Sequence, residues 1–153
     1  MTKASLNPGI LAVDPGVKCM GWAMFQNEFM IDCGLARGAN LQQTLADLPV
    51  SFCSHLVVED QQIYQTTKAR HSDILKLAQA AGGVIGRVQC FNLELVKPRT
   101  WKGNVPKTIF MSRILTKLDE SEISIFDRLS CPKSLKHNVL DAIGIGLYKL
   151  KRL

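Results

Sequence analysis

Apolar positions along the chain follow two periods, and these place the secondary-structure elements. Residues 9–13 (Gly-Ile-Leu-Ala-Val) form a short, β-favouring apolar run that stops at Asp14-Pro15-Gly16. Pro at the second turn position and Gly at the third predict a type II turn there. Runs 21–25 and 29–33 read as two strands joined through Gln26-Asn27-Glu28, hence a hairpin. Positions 41–48 have helical spacing and stop before Pro49. Leu56-Val57-Val58 is a buried strand that runs directly into Glu59-Asp60. Ser72 or Asp73 can cap a helix over 73–87 carrying Ile74, Leu75, Leu77, Ala78, Ala81 and Ile85. Its Gly82-Gly83 pair weakens helix propensity and implies close approach by another backbone. Residues 91–96 read as a further strand, 107–118 as an amphipathic helix, and 138–150 as a last helix with a buried section at 142–147. Three strands, then helix, strand, helix, strand, helix, helix predicts an α/β fold: a mixed five-stranded sheet with helices on both faces.

The chain has 153 residues, which suits a single domain over 1–153, with residues 1–8 a loose lead-in. Hydrophobic residues make up 46% and charged residues 21%, enough burial to offset the ordering entropy. The longest stretch without Asp, Glu, Lys or Arg is Leu48 to Val58, far short of the roughly 20 apolar residues a membrane helix needs. No membrane partner is expected.

Charge changes the picture more. The net charge of +6 is concentrated: Lys97, Arg99, Lys102, Lys107, Arg113 and Lys117 lie between Leu95 and Leu118 with no acid among them. From Arg128 on, Lys133, Lys136, Lys149, Lys151 and Arg152 face a single Asp141. Such clustering suits a polyanion such as nucleic acid, although it also describes a solvated surface. The five cysteines (Cys19, Cys33, Cys53, Cys90, Cys131) are odd in number and never spaced C-x-x-C. That pattern argues against a disulfide scaffold or a zinc site and predicts a reducing, cytoplasmic location.

Against this basic background, two carboxylates stand out by position. Asp14 and Glu59 each follow an apolar strand immediately, and adjacent strands would bring both to one sheet edge. Asp141 falls in the first turn of the predicted last helix, just before its buried section. Acids gathered without a balancing cation repel one another, so the cluster implies a bound divalent metal. Hard oxygen ligands point to Mg²⁺, with Mn²⁺ able to substitute. Each acid also has an ordinary alternative: a turn residue, a solvated strand end, or an acid favoured by the helix macrodipole. Asp60 should point the opposite way, to the surface.

Ile10-Leu11-Ala12-Val13-Asp14-Pro15-Gly16 followed by Gly21 resembles the first motif of the RuvC family of Holliday-junction resolvases, in the ribonuclease-H-like superfamily. Val57-Val58-Glu59 resembles its second acidic strand, and residues 75–82 its central, dimer-forming helix. Val96-Lys97-Pro98-Arg99-Thr100-Trp101-Lys102-Gly103 with Lys107 resembles its basic loop, and residues 137–147 its final acidic helix. The resemblance runs from Ile10 to Leu147, in the family's order. It implies a ribonuclease-H-like fold and a metal-dependent endonuclease that cuts four-way or other branched DNA as a homodimer through helix 73–87, with Leu77, Ala81 and Gly82-Gly83 at the contact, and with no small-molecule cofactor. Asp14, Glu59 and Asp141 would then hold two Mg²⁺ ions about 3.5–4 Å apart. Family members carry a further ligand where this chain has Asn138; an amide oxygen supplies no charge, and His137 is the alternative. Lys107 is expected to reach the scissile phosphate, and Lys97, Arg99 and Lys102 to contact the DNA backbone. Tyr64 would stack on an opened base, or be an ordinary loop aromatic. Trp101 would stack on DNA, or pack beneath the basic loop.

The alternatives from other classes are a ribonuclease-H-like nuclease for RNA–DNA hybrids, and a branched-DNA binding module weakened at Asn138. The small size suits a compact genome such as a phage's. His55 and His71 have no informative partner and read as structural, and Met20, Met24 and Met30 as core.

Overall fold

The computed structural model describes residues 9–62 and 70–153, and Tyr64 lies outside these described residues. At the centre is the first apolar run: β1 (Ile10–Asp14), with Leu11, Ala12 and Val13 fully buried. A strand covered on both faces needs no polar alternation, which is why the run is continuous. β2 (Cys19–Gln26) pairs antiparallel with β1, and β3 (Phe29–Arg37) antiparallel with β2. On the other side β4 (Phe52–Glu59) runs parallel to β1, and β5 (Gln89–Val96) parallel to β4. The order β3-β2-β1-β4-β5 is the expected mixed five-stranded sheet.

Alternate residues of the central strands feed two cores. On one face Leu11, Val13, Leu56 and Val58 pack with Ala80, Ala81 and Val84 of α2 (His71–Arg87), beside α1 (Leu41–Ala46). On the other face Ala12 and Val57 pack with four further helices: α3 (Pro98–Lys102), α4 (Lys107–Thr116), α5 (Glu120–Asp127) and α6 (Lys136–Lys149). α6 is buried without interruption from Val139 to Leu147, as a helix apolar all round must be. It lies directly on the sheet: a Cβ on Gly21 of β2 would fall 1.8 Å from the Asn138 carbonyl oxygen.

Several expectations are corrected. Gly16 does not adopt the positive φ that a type II turn requires; among the described residues Gly103 alone of the glycines does. Glycine is needed at 16 for space instead, since a Cβ there would meet the Cys19 carbonyl at 2.1 Å. The hairpin loop is two residues, Asn27 (φ 49°) and Glu28 (φ 70°), with Gln26 and Phe29 already paired. Two left-handed residues match the twist of the strands they join. α2 starts at His71, so neither Ser72 nor Asp73 caps it. Ala81 faces the core rather than a partner, and Gly83 admits the Leu45 side chain of α1, where a Cβ would come within 2.7 Å. α6 starts at Lys136, which places Asp141 in its second turn, beyond the reach of the macrodipole.

Two helices were not anticipated. α3 has Pro98 in its first turn, where a missing N–H costs nothing. α5 is announced by a capping box, in which the Asp119 side chain accepts from the Glu122 amide while Glu122 accepts from the Asp119 amide. Glu122 then does more. Fully buried, it accepts at Oε1 from the Met30 amide of β3 and from Arg152 Nη1, both at 2.7 Å, and at Oε2 from Arg152 Nη2 at 2.7 Å. Elsewhere on β3 the Cys33 amide donates to Asp32 at 2.9 Å and the Arg37 amide to Asp47 at 2.8 Å.

Burial alone would raise the Glu122 carboxyl, but the Arg152 guanidinium and the two amides outweigh it and hold it below its ordinary value of 4.5. A depressed carboxylate stabilises the fold above that ordinary value and stops doing so as pH falls through the folded value. Stability should therefore decline on acidification below about 4.5. Glu122→Gln should flatten that decline and cost about 3 kcal/mol at neutral pH, because one member of a buried pair is left alone. Urea unfolding across the acid range measures both.

Candidate active site

β1 and β4 end together. Val13 pairs with Val58, so the next and last strand residues, Asp14 and Glu59, stand side by side at the carboxyl edge of the sheet. α6 brings Asp141 to the same edge, held there by the close contact of Asn138 with Gly21. The expected three acids are thus brought together, with Glu59 and Asp141 close enough to act on Asp14.

Glu59 is only 3% exposed and Asp141 8%, so both need partners inside the protein. Glu59 Oε1 accepts from Gln61 Nε2 at 2.6 Å, and Oε2 from Trp101 Nε1 at 2.8 Å. Lys102 Nζ lies 3.4 Å from Glu59 Oε2 and 3.5 Å from Asp141 Oδ2, bridging the two. The ammonium also sits 4.6 Å over the Trp101 ring, which itself packs edge-on against Phe110 at 5.2 Å. Trp101 and Lys102 both come from α3, a helix of one turn closed by Gly103 at φ 65°. Trp101 therefore packs beneath the basic segment, and its stacking on DNA is not what the structure provides. Lys102 points at the acids, not outward to solvent as a backbone contact would.

The electrostatics follow. Burial pushes the Asp14 carboxyl well above its usual range, the charges of Glu59 and Asp141 add to this, and Lys102 and Lys107 oppose it. Burial would lower the Lys102 ammonium, but Glu59, Asp141 and Asp14 outweigh that and hold it above an ordinary lysine. Lys107, the first residue of α4, borders a cleft of about 210 Å³ with Lys102, Val105, Phe110 and Asp141. It stands near enough to act on Asp14.

The remaining candidates sit apart to different degrees. Asn138 donates through Nδ2 to the Cys19 sulfur at 3.6 Å, and Cys19 in turn feels the Asp14 charge. His137 hydrogen-bonds through Nδ1 to the Ser134 carbonyl at 2.9 Å, its place set by its own turn rather than by the acids. Lys97 and Thr100 border a separate groove with Glu94 and Tyr148, and Arg99 is exposed on α3. Sequence reasoning missed Gln61 and the inward direction of Lys102, while the packing of Trp101 beneath the basic loop was one of its two readings; of Gln61 only the spacing, two residues after Glu59, was visible.

Among the described residues, no three carboxylate, histidine or cysteine side chains stand at metal-ligating spacing. The acids are not without a balancing cation, as their sequence positions lead one to expect: Lys102 bridges two of them. The donor set nevertheless fits a hard divalent ion. Its three carboxylates outnumber the two lysines acting on Asp14, and the excess negative charge is what such an ion relieves.

No protein-family model matches the chain, and no curated protein does. Solved structures do match. T. thermophilus RuvC, in complex with a Holliday junction substrate, aligns with 90% of this chain and 89% of its own at 14% identity, with a TM-score of 0.54. The yeast mitochondrial Holliday junction resolvase aligns with 95% of this chain and 80% of its own at 9% identity, with a TM-score of 0.53. The chain has the RuvC fold. At this identity the likeness speaks for the fold, and the three acids lie at the carboxyl edge of the central RuvC-fold strands, where open α/β sheets form their crevices.

Removing the indole N–H tests the geometry around Glu59. Trp101→Phe keeps a ring against Phe110 but leaves a buried carboxylate one donor short, and should cost about 2 kcal/mol in urea unfolding. Trp101→Ala should cost more, since it adds a cavity.

Proposed function

We propose that the chain is a metal-dependent endonuclease that resolves Holliday junctions or related branched DNA. The observation that carries the reading is the convergence of Asp14, Glu59 and Asp141 at one edge of a RuvC-fold sheet, beside a basic cleft. Asp14, Glu59 and Asp141 would hold Mg²⁺ or Mn²⁺, with the Asn138 side chain alongside. When bound, such ions supply Lewis-acid polarisation of the scissile phosphate and neutralise charge that develops on it. The protein's own part is positioning. Gln61 and Trp101 fix both oxygens of Glu59, and Lys107 presents a cation to phosphate at the mouth of the cleft. Lys97 and Arg99 extend the positive surface along α3, and Tyr64 retains its proposed place near the branch point.

A homodimer is part of this reading, because a two-fold protein addresses symmetric strands of a junction. Support comes from exposed apolar side chains: Leu75 on α2, which packs on β4 and β5, and Phe91, Leu93 and Leu95 on β5. Gly82 and Gly86 lie open on α2. These residues replace Ala81 as the candidate contact.

The deciding experiment is cleavage of a synthetic four-way junction with and without Mg²⁺. Wild type should cut only with the ion, and Asp14→Asn or Glu59→Gln should lower the rate at least about a hundredfold while junction binding persists. Tight binding without cleavage by wild type would favour the binding-module alternative, and preferential cutting of an RNA–DNA hybrid the other nuclease class.

For the dimer, Leu75→Glu places a charge on the exposed face of α2 without disturbing the core. Sedimentation should show wild type as a dimer and the variant as a monomer; a variant that remains dimeric moves the interface elsewhere.

A further inference from the structure

Among the described residues, Lys102 is the one cation in ion pairs with two of the three acids, and its position has a consequence for metal binding. We propose that Lys102 is a resident counter-ion which a divalent cation must displace from Glu59 and Asp141, so that metal entry frees this ammonium for DNA phosphate. The proposal rests on the metal-dependent reading above and assigns Lys102 a role within it.

The oxygens decide the matter. Lys102 Nζ is 3.4 Å from Glu59 Oε2 and 3.5 Å from Asp141 Oδ2, atoms of two different elements, and Glu59 Oε1 is already held by Gln61. Mg²⁺ binds carboxylate oxygens at about 2.0–2.1 Å, so an ion on these oxygens would stand almost in contact with the ammonium. Two positive charges at such a separation repel strongly in a partly buried site. Both cannot be held by the same pair of carboxylates.

Lys102 also has somewhere to go. Its side chain is 29% exposed, and it ends α3 immediately before Gly103, around which nothing lies within 4 Å of a would-be Cβ. The flexible lysine stem can therefore turn from the acids into the cleft it shares with Lys107, with no movement of α3. Lys102 and Lys107 would then face phosphate together. Metal and DNA affinity become coupled, and by linkage each must raise the other by the same factor.

The test is Mn²⁺ binding to chelator-stripped protein by titration calorimetry, together with thermal melting in chelator and in saturating Mn²⁺. Lys102→Met should bind Mn²⁺ about three- to tenfold more tightly than wild type, the range expected for removing a partly buried ion pair. Lys102→Arg keeps the cation and should bind no more tightly than wild type. Lys107→Met removes the same charge without the contacts and should change affinity less. In chelator Lys102→Met should melt below wild type, because two acids lose their partner, and in saturating Mn²⁺ the difference should vanish. Equal or weaker Mn²⁺ binding by Lys102→Met, an equal gain in Lys107→Met, or a melting difference that persists in Mn²⁺ would each overturn the displacement. Wild type that binds no Mn²⁺ overturns the metal-dependent reading itself, and the displacement with it.

Discussion

How closely the last helix approaches the sheet sets where Asp141 stands relative to the two strand-end acids and to Lys102. The Asn138 carbonyl oxygen rests where a side chain on residue 21 would be, so α6 sits at backbone contact distance from β2. Asp141 follows three residues later, about 4.5 Å further along the helix axis. Any side chain at 21 would lift that segment by more than the margin in the Asp141–Lys102 contact, which is already 3.5 Å. On the far side of the same helix, Gly144 leaves room for the Trp101 ring, where a Cβ would come within 2.5 Å. One helix thus carries an acid to the sheet edge and makes space for the residue that holds another.

Two buried glutamates show how the fold separates structure from chemistry. Glu122 has a bidentate guanidinium and two amides, a complete set of partners that leaves nothing for a ligand. Glu59 has an indole, an amide side chain and a lysine that it shares with Asp141, while burial and two negative neighbours push the Asp14 carboxyl up by more than Lys102 and Lys107 bring it down. An acid raised as Asp14 is, among carboxylates that share their neutralising cations, marks a candidate functional site. The difference lies in partner count, not in depth.

The acids and the sheet were readable in the sequence because an acid placed directly after a buried apolar strand is rare and positionally unambiguous. Asp14 and Glu59 needed only the parallel pairing of β1 with β4 to meet. The short helices were not read. α3 has five residues, too few for a periodic pattern, although Pro98 marks its start; α5 was signalled by Asp119 and Glu122 and passed over. The direction of Lys102 had no sequence signal at all. A lysine in a basic run looks solvated, and only α3's placement against α6 turns it inward. Ala81 was misassigned for a similar reason: a small residue among small residues does not reveal which side of its helix meets the sheet.

The two edges of the sheet differ in a way that bears on how copies of the chain can meet. Along β3, the amides of Met30, Cys33 and Arg37 donate to the carboxylates of Glu122, Asp32 and Asp47. An edge with three of its donors so engaged offers less to a foreign strand seeking to extend the ladder, so β3 is partly guarded against the sheet-to-sheet growth that leads to aggregation. β5 has no such guard of carboxylates among the described residues and shows Phe91, Leu93 and Leu95 to solvent. Pairing of one sheet edge with another is thereby disfavoured on the hairpin side and left open on the β5 side.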